Sequence, residues 1–192
     1  ETPMSLKTIQ KLMHDTEQRM NTTVEAMETD FKGIRTGRAA PALIERVMVS
    51  YYGSPTPLNQ LAVISAPEPH LLVVRPYDPS SMDDIERGIL QADLGLNPSN
   101  DGRVIRVPIP RLTEERRREL VKLVSRRMEE CKIALRNIRR DTLEQLREYE
   151  DDKVISEDEF ARGKDRLQEI IDEFTEKVED IGARKEKDIM EI

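Results

Sequence analysis

The sequence predicts an α+β fold in which a bundle of three long helices is interrupted by a small inserted domain. Three observations carry this expectation. Ten of the eleven prolines fall between Pro41 and Pro110, the other being Pro3. Proline removes a helix hydrogen bond and clashes with the preceding turn, so residues 1–37 and 111–192 can be mostly helical and the middle cannot. On both flanks apolar residues recur at alternating spacings of three and four, the mark of one helical stripe, whereas the middle holds short β-branched runs. The expected boundaries place residues 1–36 and 111–192 in the bundle and residues 37–110 in the insert.

The first helix carries Leu6, Ile9, Met13, Thr16, Met20, Thr23, Met27, Phe31 and Ile34 on one face and ends between Gly33 and Gly37. The second is expected from about Thr113 to Glu150, with Val121, Val124, Met128, Cys131, Leu135, Ile138 and Thr142 as its stripe. Thr113 suits the N-cap, and Glu114 and Glu115 suit the positive end of the helix dipole. The third opens on "SEDE", in which Ser156 caps and Glu159 closes a capping box. Its stripe reads Phe160, Gly163, Leu167, Ile170, Phe174, Val178, Ile181 and Ile189. Narrow stripes of this kind are not stable alone in water, so the helices bury them against one another. The short link at 151–155 makes helices two and three antiparallel neighbours, and helix one is expected antiparallel to helix two.

In the insert, "RVMVSYYG" (46–53), "LNQLAVIS" (58–65), "HLLVVRPY" (70–77) and "RVIRVPIP" (103–110) read as strands bounded by Gly, Pro, Ser and Asn. Between the last two lies a helix with Ser81 as cap and Met82, Ile85, Ile89 and Leu90 as its buried face. The whole reads as a small β/α/β domain.

Composition narrows the function. The chain is 36% charged and 4% aromatic, without Trp, which favours long solvated helices over a thick core. No apolar run approaches the roughly 18 residues of a membrane span, and no basic flank precedes an apolar core at the N-terminus, so neither a membrane partner nor a secretory signal is expected. The single Cys131 lies in an apolar stripe and fits a reducing compartment. There is no CxxC, HExxH, GxGxxG or GxxxxGK[ST] motif. His14 and His70 fall in different expected domains, and no acid, base and orienting group come together.

Charge is strongly segregated. Residues 1–102 carry a net charge of -5, residues 103–147 of +7 and residues 148–192 of -9, within a total of -7. At 100° per residue, Arg118, Lys122, Lys132, Arg136, Arg139, Arg140 and Arg147 share an arc of about 100° beside the apolar stripe, interrupted mainly by Glu129. Two readings stand at this point. The strip faces the acidic third helix in salt bridges, or it faces nucleic acid, for which a local positive field suffices.

Four stretches add a resemblance. "IRTGRAAPALIERVMVSYYGSPTPLNQLA" (34–62), "DLGLNPSNDGRVIRVPIPRLTEERR" (93–117), "RNIRRD" (136–141) and "KEKDIM" (185–190) resemble, in order and spacing, the signature segments of the bacterial ribosome recycling factor family. The likeness runs over essentially the whole chain from about Met4, with "APALIER" departing from the family's form. It implies an L-shaped molecule, cytoplasmic and monomeric, that binds the ribosome after termination. With elongation factor G and GTP such a factor splits the subunits, releasing mRNA and tRNA. It implies no enzyme activity and no cofactor of its own, GTP being used by elongation factor G. Large-subunit ribosomal RNA would meet Arg136, Arg139 and Arg140 of "RNIRRD", with Arg118, Lys122, Lys132 and Arg147 extending the contact. A hinge is expected at Thr36, Gly37 and Arg38 and at Pro108, Ile109, Pro110 and Arg111.

Overall fold

The computed structural model describes residues 3–191. It divides into two compact units, one holding the chain up to Ile34 together with Arg117–Glu191, the other Arg35–Arg116.

The first unit is built from α1 (Met4–Lys32), α4 (Glu114–Asp151, its first turn lying in the other unit) and α5 (Glu157–Met190). Thr113 does cap α4: its Oγ1 accepts from the Arg116 N–H at 3.1 Å. The capping box of α5 is complete, with Ser156 Oγ accepting from the Glu159 N–H and Glu159 Oε2 accepting from the Ser156 N–H at 2.8 Å. Cross-helix contacts fix the directions. Thr16 meets Thr142, Arg19 meets Asp141 and the Cys131 thiol donates to the Thr23 carbonyl, so α1 and α4 are antiparallel. Ser125 donates to Glu186, Lys132 to Glu179 and Arg139 to Gln168, so α4 and α5 are antiparallel as well. Met20, Val24, Val124, Leu135, Leu146, Ile170, Val178 and Ile189 are fully enclosed between the helices.

The buried stripes differ from the expected ones in detail. Leu120 and Leu146 of α4, Val24 of α1 and Ile171 of α5 are buried, while Thr23, Val121, Met128, Phe160, Phe174 and Ile181 are only half-buried. A helix of 3.6 residues per turn drifts about 20° per heptad against a strict three-four repeat, so a long stripe slides onto neighbouring positions. At Gly182 α5 lies close against α4. A Cβ there would collide with the Met128 side chain.

In the second unit β1 (Met48–Tyr51) and β2 (Ser54–Pro57) form an antiparallel ribbon. Its turn holds Tyr52 at φ 47° and Gly53 at φ 79°, the two positive values that a tight hairpin matching strand twist demands. The short α2 (Leu58–Leu61) leads into an antiparallel sheet of β3 (Ala62–Glu68), β4 (Leu71–Pro76), β5 (Ser99–Asn100) and β6 (Ile105–Pro108), in spatial order β3-β4-β6-β5. Helix α3 (Met82–Gln91) packs on β1, and Val49, Leu72, Val74, Ile85, Ile105 and Val107 lie in one core. Three expectations are corrected here. Residues 58–61 make a helical turn rather than the start of a strand. Ser81 gives α3 no side-chain cap, because its hydroxyl donates to the Asp78 carbonyl, while the Asp78 carboxylate caps the preceding turn through the Ser80 N–H. Leu90 is 53% exposed, and Gly88 takes its place against Val49, so the backbones of α3 and β1 approach closely.

Candidate nucleic-acid interface

The candidate face lies on α4. Its sequence alternates an apolar stripe, which α1 and α5 cover, with a basic arc that is mostly uncovered and whose edge meets α5. The arc survives folding as an outward surface. Arg118, Lys122, Arg136, Arg140 and Arg147 are exposed, and Lys132 and Arg139 sit half-buried on the side toward α5.

Pairing within the arc is uneven. Lys132, with its side chain 22% exposed, donates to Glu179 of α5 at 3.0 Å. Arg136 reaches back along its own helix to Glu129 at 3.0 Å. Arg139 donates to the neutral carbonyl of Gln168 at 3.3 Å. Among the described residues Lys122, Arg140 and Arg147 have no ion pair. The salt-bridge reading of the strip therefore accounts for Lys132 but not for the arginines of "RNIRRD". Other ion pairs between the bundle helices lie outside the arc, as in Arg19–Asp141 and Arg166–Glu17. Glu179 and Gln168 carried no signal in the sequence, since cross-helix register is absent from any local pattern. Glu129 was visible as the acid interrupting the strip, but its pairing was not.

Electrostatics of the surroundings separate charge from core. Burial pushes the Cys131 thiol above its ordinary range, which leaves it an inert core group. Burial also lowers the Lys185 ammonium, whose Nζ donates to the Ile34 carbonyl where α1 ends. No group of three or more His, Cys, Asp or Glu that could hold a metal ion occurs among the described residues. Nor is any helix there long and apolar enough to cross a membrane.

The expected hinge residues all lie in the second unit. Gly37 adopts φ 77°, and its carbonyl accepts from His70 Nδ1 at 3.0 Å. A Cβ on Gly37 would stand 3.2 Å from the Leu112 side chain and 3.5 Å from the Pro110 carbonyl, so the two connections run side by side. Ile109 is buried, and its N–H donates to the His70 carbonyl at 2.8 Å. Thr36 is half-buried, while Arg38, Pro108, Pro110 and Arg111 are exposed.

Fold and surface together define a class: a helical-bundle binding factor with a small sheet domain, built to present charge on one helix face. Known proteins give that class a family. The family model for ribosome recycling factor matches residues 27–190. The ribosome-recycling factor of Syntrophomonas wolfei subsp. wolfei is 50% identical over 184 residues, covering 96% of this chain and 100% of that one. That of Chloroflexus aurantiacus is 53% identical over 176 residues, covering 92% and 95%. The solution structure of a ribosome recycling factor superposes with a TM-score of 0.71 at 40% identity, covering 96% and 98%. Models of the T. thermophilus factor with E. coli elongation factor G on the E. coli post-termination complex give a TM-score of 0.60 at 42% identity, covering 95% and 98%. This chain belongs to the ribosome recycling factor family, whose members are translation factors and not enzymes.

Proposed function

We propose that the protein binds the post-termination ribosome through the basic arc of α4 and, with elongation factor G and GTP, separates the subunits so that mRNA and tRNA leave. The observation that carries this reading is the outward arginine cluster Arg136, Arg139 and Arg140 on α4 of a family member. A relative was placed on such a ribosome beside elongation factor G, which supports the same partners here. Arginine's planar fork matches phosphate oxygens and base edges, so large-subunit ribosomal RNA is the chemistry this arc fits.

The protein itself uses no cofactor and works in the cytoplasm as a monomer, with nucleotide hydrolysed by the partner. The bundle is the part that grips RNA. The second unit is the part the GTPase pushes, and the two chain crossings between the units serve as the pivot. Force on the second unit then drives the bundle against the RNA joining the subunits.

Light scattering of post-termination ribosomes tests this directly. Full-length protein with elongation factor G and GTP lowers the scattering, and Arg136→Ala slows the fall. A wild-type protein that leaves the scattering unchanged under these conditions refutes the function. Normal splitting and binding by Arg136→Ala and Arg139→Ala refute the contact surface alone.

A further inference from the structure

Glu129 stands inside the basic arc of α4, and its surroundings are built differently from those of the other acids near it. An acid on a helix ordinarily pairs with a base three or four residues away. For Glu129 those positions are Ser125 and Arg126 behind it and Lys132 and Ile133 ahead, and neither Arg126 nor Lys132 forms an ion pair with it. Lys132 is drawn across to Glu179 of α5, and Ile133 is an exposed apolar side chain. Glu129 instead takes Arg136, seven residues and about 10 Å along the axis, at 3.0 Å. The Arg136 side chain must lie flat along the helix toward its N-terminus to reach it, the direction helical side chains favour. Both members of the pair are about half exposed, with side chains 51% and 59% accessible. The pair is therefore one that ligand can open.

A carboxylate in the middle of a phosphate-binding strip has two effects. It repels any phosphate that passes over it. It also holds one guanidinium in a resting position. A run of bare phosphates, which binds by charge alone and in many registers, meets both penalties in every register. A shaped RNA surface escapes both, because it can set a base donor or a sugar hydroxyl against the carboxylate in place of the guanidinium, while its phosphates fall on the freed Arg136 and on Arg140, Arg147 and Lys122. Repulsion of the wrong ligand is a standard source of specificity.

We infer that Glu129 is a specificity-determining residue of this face: it weakens binding to unstructured phosphate backbone more than binding to the folded RNA surface the arc fits. The inference rests on the reading of α4 as the RNA-facing helix.

The test uses the full chain in four forms: wild type, Glu129→Gln, Arg136→Ala and the double variant. Each is titrated against a single-stranded oligouridylate and against isolated bacterial large ribosomal subunits, at the same salt. Glu129→Gln should tighten oligouridylate binding about two- to fivefold, the scale of one exposed charge pair, and change large-subunit binding less than about twofold. The gain should shrink in the Arg136→Ala background, where no guanidinium remains to be freed. Equal tightening on both probes, or none on oligouridylate, overturns the inference while leaving the RNA-facing reading intact. A gain of the same size with and without Arg136 overturns the role of the pair. Unchanged large-subunit binding by Arg136→Ala, whatever Glu129→Gln does, overturns the reading beneath it.

Discussion

Leu135 and Arg136 are consecutive on α4 and answer to different physics. Leu135 is fully enclosed by the bundle, while Arg136 is exposed on the uncovered arc. One step of 100° carries the chain from a position where shape decides to one where charge decides. A single helix thus keeps stability and recognition on separate strips, and each can be damaged without the other. The sharpest break of that separation is Leu135→Ala. Deleting an enclosed leucine side chain costs about 2–5 kcal/mol, since the cavity only partly collapses. Urea unfolding should show that loss, whereas the fraction still folded should bind large subunits normally. A folded Leu135→Ala protein that binds weakly would mean the core arc shapes the binding face, and the two strips are not separable.

Arg136→Ala and Arg139→Ala are the reciprocal experiment. Each should leave helicity and the melting temperature nearly unchanged, because neither ties α4 to another helix by an ion pair. Large-subunit binding should weaken roughly tenfold, and the slope of log affinity against log salt should become shallower by about one for each phosphate no longer neutralised. If either variant binds normally and melts much earlier, that arginine belongs to the bundle and not to its outer face.

The apolar strip has a polar pair of its own within it. Thr16 and Thr142 are both buried, with their hydroxyl oxygens 2.7 Å apart. Thr16 also donates to the Leu12 carbonyl at 2.8 Å. A hydroxyl has one proton to give, so Thr142 must be the donor between the two. Thr142→Val removes that donor and leaves Thr16 with an acceptor unsatisfied among apolar neighbours, at a cost of about 1 kcal/mol. Adding Thr16→Val should restore part of it, because replacing both partners leaves nothing unpaired. A double variant less stable than the sum of the singles would show that the pair acts through something other than its hydrogen bond.

The two strips were also legible in the sequence to different degrees. The α4 arc followed from helix geometry alone: one angle per residue places Arg136 and Arg140 beside, and not within, the stripe of Leu135 and Ile138. The capping box at Ser156 and Glu159 was equally local. Where the outcome depended on a second element, the sequence was silent. Ser54–Pro57 holds Pro55 and Pro57 and lies outside the four expected strands, yet it forms β2, because in a ribbon of two strands one edge needs no ladder donor. Leu90 read as buried, but the close approach of α3 to β1 at Gly88 turns it outward. Ser81 read as a cap, but its hydroxyl turns back to donate to the Asp78 carbonyl. The partners of the strip, Glu179 and Gln168, depend on how α5 is set along α4, which no window of either helix contains.

The smallest expected effect lies at the start of α5, far along the chain from the arginines, where structure alone is at stake. Glu159 accepts from the Ser156 N–H at 2.8 Å and from the Ser5 hydroxyl at 2.7 Å. The backbone hydrogen bond from Ser156 is the main cause that holds its carboxyl below the ordinary value of 4.5, and the bond from Ser5 is the next. A carboxyl depressed by folding adds stability that is fully present above the unfolded value, and is lost as pH falls from there through the folded value. Wild-type melting temperature should thus decline below pH 4.5 partly through this group. Glu159→Gln should be slightly less stable at neutral pH, and its decline should be shallower as pH falls below 4.5. Ser5→Ala removes the lesser cause and should fall between the two. Binding to large subunits at neutral pH should be the same for all three, since the capping box lies outside the basic arc. Parallel melting curves for wild type and Glu159→Gln across the acid range would show that the box contributes nothing through its charge. A binding defect in Glu159→Gln would extend the recognition surface to the start of α5 and end the assignment of recognition to α4 alone.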